Sequence, residues 1–333
     1  MGLNRRTFLR AMGAAASTTA LCAPALAQER TGIRIGYLHT LAVDAQLWLC
    51  DHLGAFEANG LKPDFVMFQT GLELFQAMIG GSIDVLATGA VISNFPARGQ
   101  GKVFLANAIE FATAQLWVRD DQGIATIADL KGKRIATTAG TTAHVFLNTA
   151  LKANNVSLQD VDILNQRMPD AVTSFISGAV PAVALWVPFN MTVRAQVSNA
   201  RMLVDASSYY PQAAIVGGWA TMADFHAKHR DVLVRIVKTW RAGNEFLVSK
   251  SDEALETLQR EHYAQIPLAD LKEQFTAEKT FRASDWRKLY ADGTLTKWLQ
   301  QVTDFFSATG NIPNPVPASQ YFDTSIYLDT IEG

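Results

Sequence analysis

The fold follows from the stretch Ile33-Arg34-Ile35-Gly36-Tyr37, a short apolar run that precedes a helical pattern ending near Asn59-Gly60. The run has the length of one strand, and apolar residues spaced three or four apart behind it predict a helix. Similar apolar runs follow at residues 65–68, 85–87 and 103–108, each separated from the last by a helical pattern. This alternation is typical of a parallel sheet with crossover helices, and we expect a doubly wound α/β lobe.

A second alternation opens with Asp129-Leu130-Lys131-Gly132-Lys133-Arg134-Ile135-Ala136, which predicts a short helix, a glycine turn and a new strand. Further strands and helices alternate from there to residue 185. We therefore expect a second lobe at 118–214, while 28–117 and 215–333 form the first. The chain is longer than one hydrophobic core usually holds, which agrees with two lobes.

The N-terminus carries a targeting pattern. Asn4-Arg5-Arg6-Thr7-Phe8-Leu9-Arg10 resembles the twin-arginine export signal, and Ala25-Leu26-Ala27 offers the small residues that a signal peptidase accepts. A membrane anchor is the alternative, but Pro24 interrupts a segment that is already short for a bilayer span. A lipoprotein anchored through Cys22 is disfavoured by Leu21 before it. We expect residues 1–27 to be removed and the protein to be periplasmic.

Charge and cysteine content exclude several classes of protein. The predicted signal contains three of the 29 Lys and Arg residues and none of the 31 acids, so its loss changes the net charge from −2 to −5. A mildly acidic chain binds polyanions poorly, and we expect no nucleic-acid partner. Only Cys50 remains after processing, which rules out an intramolecular disulfide and a zinc site of several thiolates. We expect neither a metal nor a cofactor.

Four segments carry a resemblance to a known family. They are Ile33 to Tyr37, Gly80-Gly81-Ser82-Ile83-Asp84-Val85, Asp129 to Ala136, and residues 178–189 with a Trp-x-Pro-aromatic pattern. In order and spacing they resemble the periplasmic solute-binding proteins for nitrate, sulfonates and taurine, which feed ABC importers. The resemblance implies the type II periplasmic-binding fold: two doubly wound α/β lobes joined by two crossover strands, with the ligand held between them by hinge closure. It also implies a monomer that works with an ABC permease and ATPase.

The chain departs from that family at three positions. Relatives often carry an acid where this chain has Pro181 and Val187, and taurine-type relatives tend to have one near Gln115, on the first crossover. A buried ammonium group needs a counter-charge. The missing acids therefore argue against an amino sulfonate as the ligand, although Glu110 is able to substitute.

Loops at the carboxyl ends of the strands predict the site independently of the family, because ligands of doubly wound sheets bind there. The loop at 138–144 is the sharpest candidate: a threonine there caps a helix, and the first helical turn offers N–H groups to an anion. A threonine that only caps its helix, and histidines that lie in solvent or in the core, remain the alternatives. The predicted ligand-binding residues from these loops are His39, Thr40, Gly89, Ala90, Thr138, Thr141, Thr142, His144, Trp186, Phe189 and Asn190.

Other candidates come from single side chains. Arg167 follows a predicted strand and is suited to clamp an anion, although most arginines lie at the surface. Phe111 and Trp219, with Trp186 and Phe189, are expected to contact an apolar or aromatic body of the ligand. Glu110 and Gln115 complete the predicted site. His226 and His229 have no third metal ligand nearby in the sequence, so a solvated helix face is the better interpretation.

Three functions stay open on the sequence. The leading one is a non-catalytic binding protein that delivers a small organic anion to a permease. The second is an enzyme on the same fold, like the pyrimidine synthase of thiamine biosynthesis or the sulfinate desulfinases, which rely on cysteines in or near the site. Cys50 lies in a predicted helix instead, and no hydrolase, P-loop or zinc-protease motif is present. The third is a ligand sensor for a membrane receptor.

Overall fold

A computed structural model describes residues 30–310 and 312–332 of the chain. The predicted export signal and cleavage site at 1–27 lie outside these residues. The described residues form two five-stranded sheets, each covered by helices. The predicted fold class, two α/β lobes, is confirmed. The strands are β1 (Thr31–Leu38), β2 (Leu61–Phe68), β3 (Val85–Thr88), β4 (Gly101–Ile109), β5 (Ala114–Arg119), β6 (Arg134–Thr137), β7 (Asp162–Asn165), β8 (Ala182–Trp186), β9 (Ala200–Asp205) and β10 (Val216–Met222).

Helices follow the strands in the first two thirds of the described chain, and the remaining third is almost wholly helical. They are α1 (Leu41–His52), α2 (Ala55–Ala58), α3 (Gly71–Ile79), α4 (Asn94–Ala97), α5 (Thr142–Ala153), α6 (Met168–Ile176), α7 (Phe189–Gln196), α8 (Ala223–Lys228), α9 (Arg230–Ser249), α10 (Ser251–Glu261), α11 (Leu268–Thr276), α12 (Ala283–Ala291), α13 (Thr294–Ala308), α14 (Ala318–Tyr321) and α15 (Thr324–Glu332).

The first sheet has the strand order β2-β1-β3-β10-β4. Strands β1, β2 and β3 are parallel, and β10 runs antiparallel to both of its neighbours, β3 and β4. Gly218 lies in β10 opposite β4, where a side chain would meet the Leu105 carbonyl oxygen at 2.5 Å. A glycine is therefore required for the strand to enter the middle of the sheet. The late helices pack back on this lobe, with α9 against both α1 and α15.

The second sheet has the order β7-β6-β8-β5-β9. Here β6, β7 and β8 are parallel, whereas β5 is antiparallel to β8 and β9. Both sheets thus combine three parallel strands with antiparallel strands, and the carboxyl ends of the parallel strands face the space between the lobes.

The links between the lobes differ from the expected crossover strands. The chain crosses at 110–113 and at 206–215, and neither segment is a strand, although residues 206–209 form one 3-10 turn. Because β5 pairs with β8 and β9 along its length, it belongs wholly to the second sheet. The first crossing therefore precedes the boundary expected after residue 117.

A third segment of the chain packs along the first link between the lobes. Ile109 and Lys279 exchange two backbone hydrogen bonds, at 3.0 and 2.9 Å, and the Ala112 N–H donates to the Ala277 carbonyl at 2.7 Å. The chain between α11 and α12 thus lies along the first link and fixes its course.

Candidate functional site

A cavity of about 200 Å³ lies between the lobes. The first lobe contributes residues that follow β1, β2 and β3, and the second contributes the start of α5 and the loop after β8. Glu110 and Thr113, from the first link, close the space between the walls. The lining residues are Leu38, His39, Thr40, Ala42, Val43, Phe68, Gln69, Thr70, Gly71, Thr88, Gly89, Val91, Glu110, Thr113, Thr141, Thr142, Trp186, Val187, Pro188, Phe189 and Gly217.

Four helices begin at this cavity. Thr40, Thr70 and Thr141 directly precede α1, α3 and α5, and Phe189 is the first residue of α7. The first N–H groups of a helix have no acceptor within it, and the helix dipole gives its N-terminus a partial positive charge. Among the described lining residues there is no Lys or Arg. Backbone N–H groups, hydroxyls and the His39 imidazole therefore supply the positive potential of the cavity.

The hydroxyls of the threonines at these helix N-termini differ in their hydrogen-bond partners. The Thr70 hydroxyl accepts from the Glu73 N–H at 3.3 Å in a capping box. The Thr141 hydroxyl donates to the Thr138 carbonyl at 2.7 Å, and Thr40 makes no side-chain cap. A hydroxyl that donates to the protein keeps its oxygen as an acceptor. Thr141 thus donates a hydrogen bond within its own loop and also lines the cavity.

Glu110 is the acidic residue among the described residues that line the cavity, and its side chain is 7% exposed. It accepts from the Thr142 hydroxyl at 3.1 Å and from the Thr113 hydroxyl at 3.3 Å. Burial raises the pKa of its carboxyl to about 7, against the effect of these hydrogen bonds. A Cβ atom at Gly89 would come within 2.9 Å of the Thr142 hydroxyl and closer still to the Glu110 carboxylate. The close approach of the lobes at this point therefore requires a residue without a side chain.

His39 lines the cavity from the first lobe and is held by a buried acid. Its Nδ1 lies 2.7 Å from Oδ2 of Asp44, which is fully buried. Asp44 also accepts from the Trp48 indole N–H at 2.9 Å and from the Tyr263 hydroxyl. The His39 ring stacks on Tyr263 with centroids 4.4 Å apart. The hydrogen bond to Asp44 raises the pKa of His39, so the cavity faces an imidazole that is oriented and readily protonated.

An apolar surface completes the cavity. Trp186 and Phe189 pack edge to face with ring centroids 5.7 Å apart, and both are half-buried. Phe68, from the first lobe, joins them in the lining. A ligand that occupies the cavity is thus offered aromatic surface as well as polar groups.

The structure brings eight of the fifteen predicted site residues together in this lining. They are His39, Thr40, Gly89, Glu110, Thr141, Thr142, Trp186 and Phe189. Ala90 lies beside it, where its N–H donates to the Thr142 hydroxyl at 3.2 Å. Asn190 follows Phe189 and is 3% exposed, turned toward the interior.

Five of the predicted residues lie away from the cavity lining. Gln115, in β5, accepts from the Trp117 indole N–H and donates to the Ala112 carbonyl of the first link. Thr138 is buried, and Arg167 is exposed at the start of α6. His144 accepts from the Gly140 N–H at 3.1 Å and packs edge-on against Phe305.

Trp219 is the fifth, and it is a core residue of β10 that packs near Phe104. Phe111, the further aromatic candidate, lines a separate, smaller cavity and lies under the Lys279 ammonium group. Neither ring lines the larger cavity described above.

Sequence reasoning missed the loop after β2. Phe68, Gln69, Thr70 and Gly71 line the cavity because β2 is parallel to β1 and ends at the same edge. The rule that selected the other loops would have selected this one. Thr113 and Gly217 carry no comparable signal, since Thr113 lies in the first link between the lobes and Gly217 lies in β10.

Two features are absent from the described residues. None of the helices there is both long and apolar enough to cross a membrane. In the same part of the chain, no three His, Cys, Asp or Glu side chains are grouped as a metal ion would require.

Comparisons with known proteins agree with this architecture. The family model described as NMT1/THI5 like matches residues 96–254. A protein of Brucella abortus (strain 2308) is 25% identical over 320 residues, which cover 96% of this chain and 98% of that protein. The taurine-binding periplasmic protein of Escherichia coli (strain K12) is 26% identical over 223 residues, or 66% of this chain and 68% of that protein.

Solved structures share the fold. The alkanesulfonate-binding protein of Xanthomonas axonopodis pv. citri, solved bound to MOPS, has a TM-score of 0.72 at 22% identity and covers 89% of this chain and 99% of its own. A desulfurization enzyme has a TM-score of 0.65 at 16% identity, covering 91% and 99%. The resemblance to periplasmic solute-binding proteins that the sequence indicates is confirmed, and an enzyme also occurs among the structures with this fold.

Proposed function

We propose that this chain, a relative of the periplasmic solute-binding proteins, is the ligand-capturing subunit of an ABC importer for a small organic anion. The observation that carries the proposal is the meeting of four helix N-termini at one cavity between two lobes. Helix N-termini bind anions through N–H groups and the helix dipole. The ligand's charged group is thus satisfied without a Lys or Arg side chain, and the His39 imidazole adds to the positive potential.

The remaining walls favour a ligand with an apolar body. Phe68, Trp186 and Phe189 offer aromatic surface that a bare inorganic anion does not need. We therefore propose a sulfonate or carboxylate with an aliphatic or aromatic body, and the similarity to a taurine-binding and an alkanesulfonate-binding protein supports this class.

Capture is proposed to proceed by closure of the two lobes. One wall comes from the loops of the first lobe and the other from α5 and the loop after β8. A ligand that contacts both walls binds the closed arrangement more tightly than the open one, and so shifts the population toward it. Since both walls belong to one chain, we propose that a monomer suffices.

We propose that the protein acts in the periplasm, where it hands its ligand to a permease and ATPase. The twin-arginine pattern at Arg5 and Arg6 supports export of the chain by that route. A sensor that reports ligand to a membrane receptor would use the same cavity, and a permease gene beside this one would favour transport.

An enzymatic role has one observation against it. Thiol chemistry requires a thiolate in the site, but Cys50 lies outside the cavity lining and donates to the Thr239 carbonyl at 3.0 Å. Burial raises the pKa of this thiol to about 12. We propose that the protein binds its ligand without changing it, and recovery of unaltered ligand after incubation would support this.

A thermal-shift screen tests the proposal. The purified protein is heated with butanesulfonate, benzenesulfonate, butyrate, benzoate or nitrate, and with 1-butanol and benzyl alcohol as uncharged matches. At about 100 times its dissociation constant, a ligand that binds only the folded state adds about 2.7 kcal/mol. We expect Tm to rise with an organic anion and not with its alcohol. No rise with any anion would contradict the proposed function.

A further inference from the structure

The two links between the lobes are bonded to each other. The Glu110 N–H, at the start of the first link, donates to the carbonyl of Ile215, at the end of the second, at 2.9 Å. The rings of Phe111 and Tyr210, one from each link, pack edge to face with centroids 5.4 Å apart. A rotation of one link against the other would break these contacts, so this part of the two links moves as one unit.

Lys279 joins this pair of rings to the first lobe. Its ammonium group lies 4.3 Å from the Phe111 ring centroid and 5.1 Å from that of Tyr210, within the range of cation–π attraction. Its backbone exchanges two hydrogen bonds with Ile109, the last residue of β4. The segment that carries Lys279 connects α11, which packs on α1, with α12, which packs on α13 and α15. One side chain of the first lobe thus contacts both links.

The second link changes lobe between two neighbouring tyrosines. Two side chains of α13 donate to the carbonyls of Pro211 and Gln212, at 3.0 and 2.9 Å, so the first lobe holds this half of the link. The Tyr209 ring instead packs against Phe146 of α5, in the second lobe, with centroids 6.3 Å apart. The chain therefore passes from the second lobe to the first at Tyr209 and Tyr210.

The peptide between these tyrosines is bonded to both halves of the link. Its N–H donates to the Ser207 carbonyl at 3.2 Å, and its carbonyl accepts from the Ala213 N–H at 2.9 Å. A rotation of the lobes therefore acts on the backbone dihedral angles beside this peptide.

The first link changes lobe in the same way. The Ala112 N–H donates to the Ala277 carbonyl of the first lobe at 2.7 Å. The carbonyl of the next residue, Thr113, accepts from the Val187 N–H of the second lobe at 2.9 Å. Because neighbouring residues are bonded to different lobes, the backbone at Ala112 and Thr113 takes up a rotation of one lobe against the other.

Resting on the proposed capture by lobe closure, we propose that Lys279 is a positioning residue for ligand binding. It holds residues 109–112, 210–215 and 277–279 together as one bracket fixed to the first lobe. The lobes then close by rotation at two points, Ala112–Thr113 and Tyr209–Tyr210. Rotation confined to these points brings the cavity walls together in one arrangement, which a ligand that contacts both walls requires.

Distances between the lobes test the bracket. Lys62→Cys in the first lobe and Lys152→Cys in the second place spin labels at exposed positions, while the buried Cys50 stays unlabelled. Double electron–electron resonance gives the distance distribution without ligand and with butanesulfonate, or with the anion that raises Tm most in the thermal-shift screen. We expect the anion to shorten the distance. Lys279→Met should broaden the distribution in both states, and Lys279→Arg, which keeps a cation over the rings, should not.

Calorimetry with the same anion measures the consequence for binding. We expect Lys279→Met to bind it about threefold or more weakly, because the cation–π attraction no longer holds the links together. Lys279→Arg should bind as the wild type does. Phe111→Leu removes one ring of the pair, and its effect should add less than fully to that of Lys279→Met. A merely structural role of Lys279 would lower the urea midpoint without broadening the distances.

A pair of glycine variants tests where the rotation occurs. Ala112→Gly loosens the backbone at a proposed rotation point and should broaden the distance distribution without ligand. Ala214→Gly makes the same change inside the bracket, where the surrounding contacts hold the chain, and should leave the distribution unchanged. Should Lys279→Met fail to fold, this pair still decides.

The two proposals fail in different ways. Wild-type distances and affinity in Lys279→Met, equal broadening in Lys279→Arg, or equal behaviour of the two glycine variants would overturn the bracket and leave anion capture standing. Binding of the anion without any shortening of the distance would overturn closure and the bracket with it. Absence of binding by every anion of the thermal-shift screen would overturn the proposed function itself.

Discussion

The hydroxyl of Thr142 donates to Oε1 of Glu110 at 3.1 Å and accepts from the Ala90 N–H at 3.2 Å. Thr142 belongs to the second lobe, Ala90 to the first, and Glu110 to the link between them. One hydroxyl thus joins all three parts of the protein at the cavity. These two hydrogen bonds fix the position of the Glu110 carboxylate and couple the positions of the two lobes.

Replacement of Thr142 by Val should therefore act on stability and on binding. The variant leaves the Ala90 N–H without its acceptor and Oε1 of Glu110 without its donor, which costs about 1–3 kcal/mol. We expect urea unfolding to show that loss and calorimetry with butanesulfonate to show at least about tenfold weaker binding. Thr173→Val, at an exposed threonine of the same lobe, is the matched control and should change neither. Wild-type values for Thr142→Val would mean that the bridge is dispensable.

Gly89→Ala tests the close approach of the lobes. The added methyl group meets the Glu110 carboxylate and the Thr142 hydroxyl, so one of them must move. We expect weaker binding of butanesulfonate and a lower midpoint of urea unfolding, with the larger change in binding. Gly32→Ala places the same methyl group where nothing lies within 4 Å, and it should leave both measurements unchanged. Equal behaviour of the two variants would contradict the steric argument.

Asp44→Asn tests the support of His39. The carboxylate accepts from three donors, His39 and Trp48 at one oxygen and Tyr263 at the other, whereas an amide has a single acceptor oxygen. We expect a loss of about 1–3 kcal/mol for a donor left unpaired. NMR titration should show a lower pKa for His39, since the Asp44 hydrogen bond raises it.

Tyr263→Phe is the comparison for Asp44→Asn, because it removes one donor and keeps the ring that stacks on His39. Its destabilisation should be smaller, and the pKa of His39 should stay raised. An unchanged pKa of His39 in Asp44→Asn would show that another group orients and charges this imidazole.

His144 should make the protein less stable in acid. Burial lowers its pKa to about 4, from 6.5 when the side chain is exposed. The folded state therefore binds fewer protons than the unfolded state between these values. Its contribution to stability is present above pH 6.5 and falls by up to about 1.4 kcal/mol per pH unit toward pH 4.

His144→Asn checks this assignment. The amide oxygen is able to accept from the Gly140 N–H as Nδ1 does, but it does not titrate. Urea unfolding at pH 4.5, 5.5, 6.5 and 8 should show a shallower decline for the variant than for the wild type. Parallel curves would assign the acid sensitivity to other groups.

Much of the fold was predictable because it is local in sequence. The alternation from Ile33 onward places each parallel strand next to its crossover helix, and a period of two or of three to four residues distinguishes them. The same alternation predicted the loops after β1, β3, β6 and β8, from which the cavity residues come. The topology of the sheet alone determines which loops lie together at one of its edges.

The rest depends on contacts between distant parts of the chain. Trp219 was expected at the site, but β10 enters the centre of the first sheet and buries the ring, and the local pattern does not reveal a strand's place in the sheet order. The segment after α11 was not singled out, because its backbone pairing at Ile109 brings together residues that are far apart in the sequence. Arg167 was a plausible clamp by type, yet α6 presents it at the surface.

The position of β10 also constrains how the protein is made. This strand separates β3 from β4, so a nascent chain that ends before Val216 leaves the edges of both strands without a partner. The second sheet, in contrast, draws all of its strands from Ala114–Asp205. During synthesis, the sheet of the second lobe is therefore the first that can be completed. The sheet of the first lobe is completed only after β10 has been made.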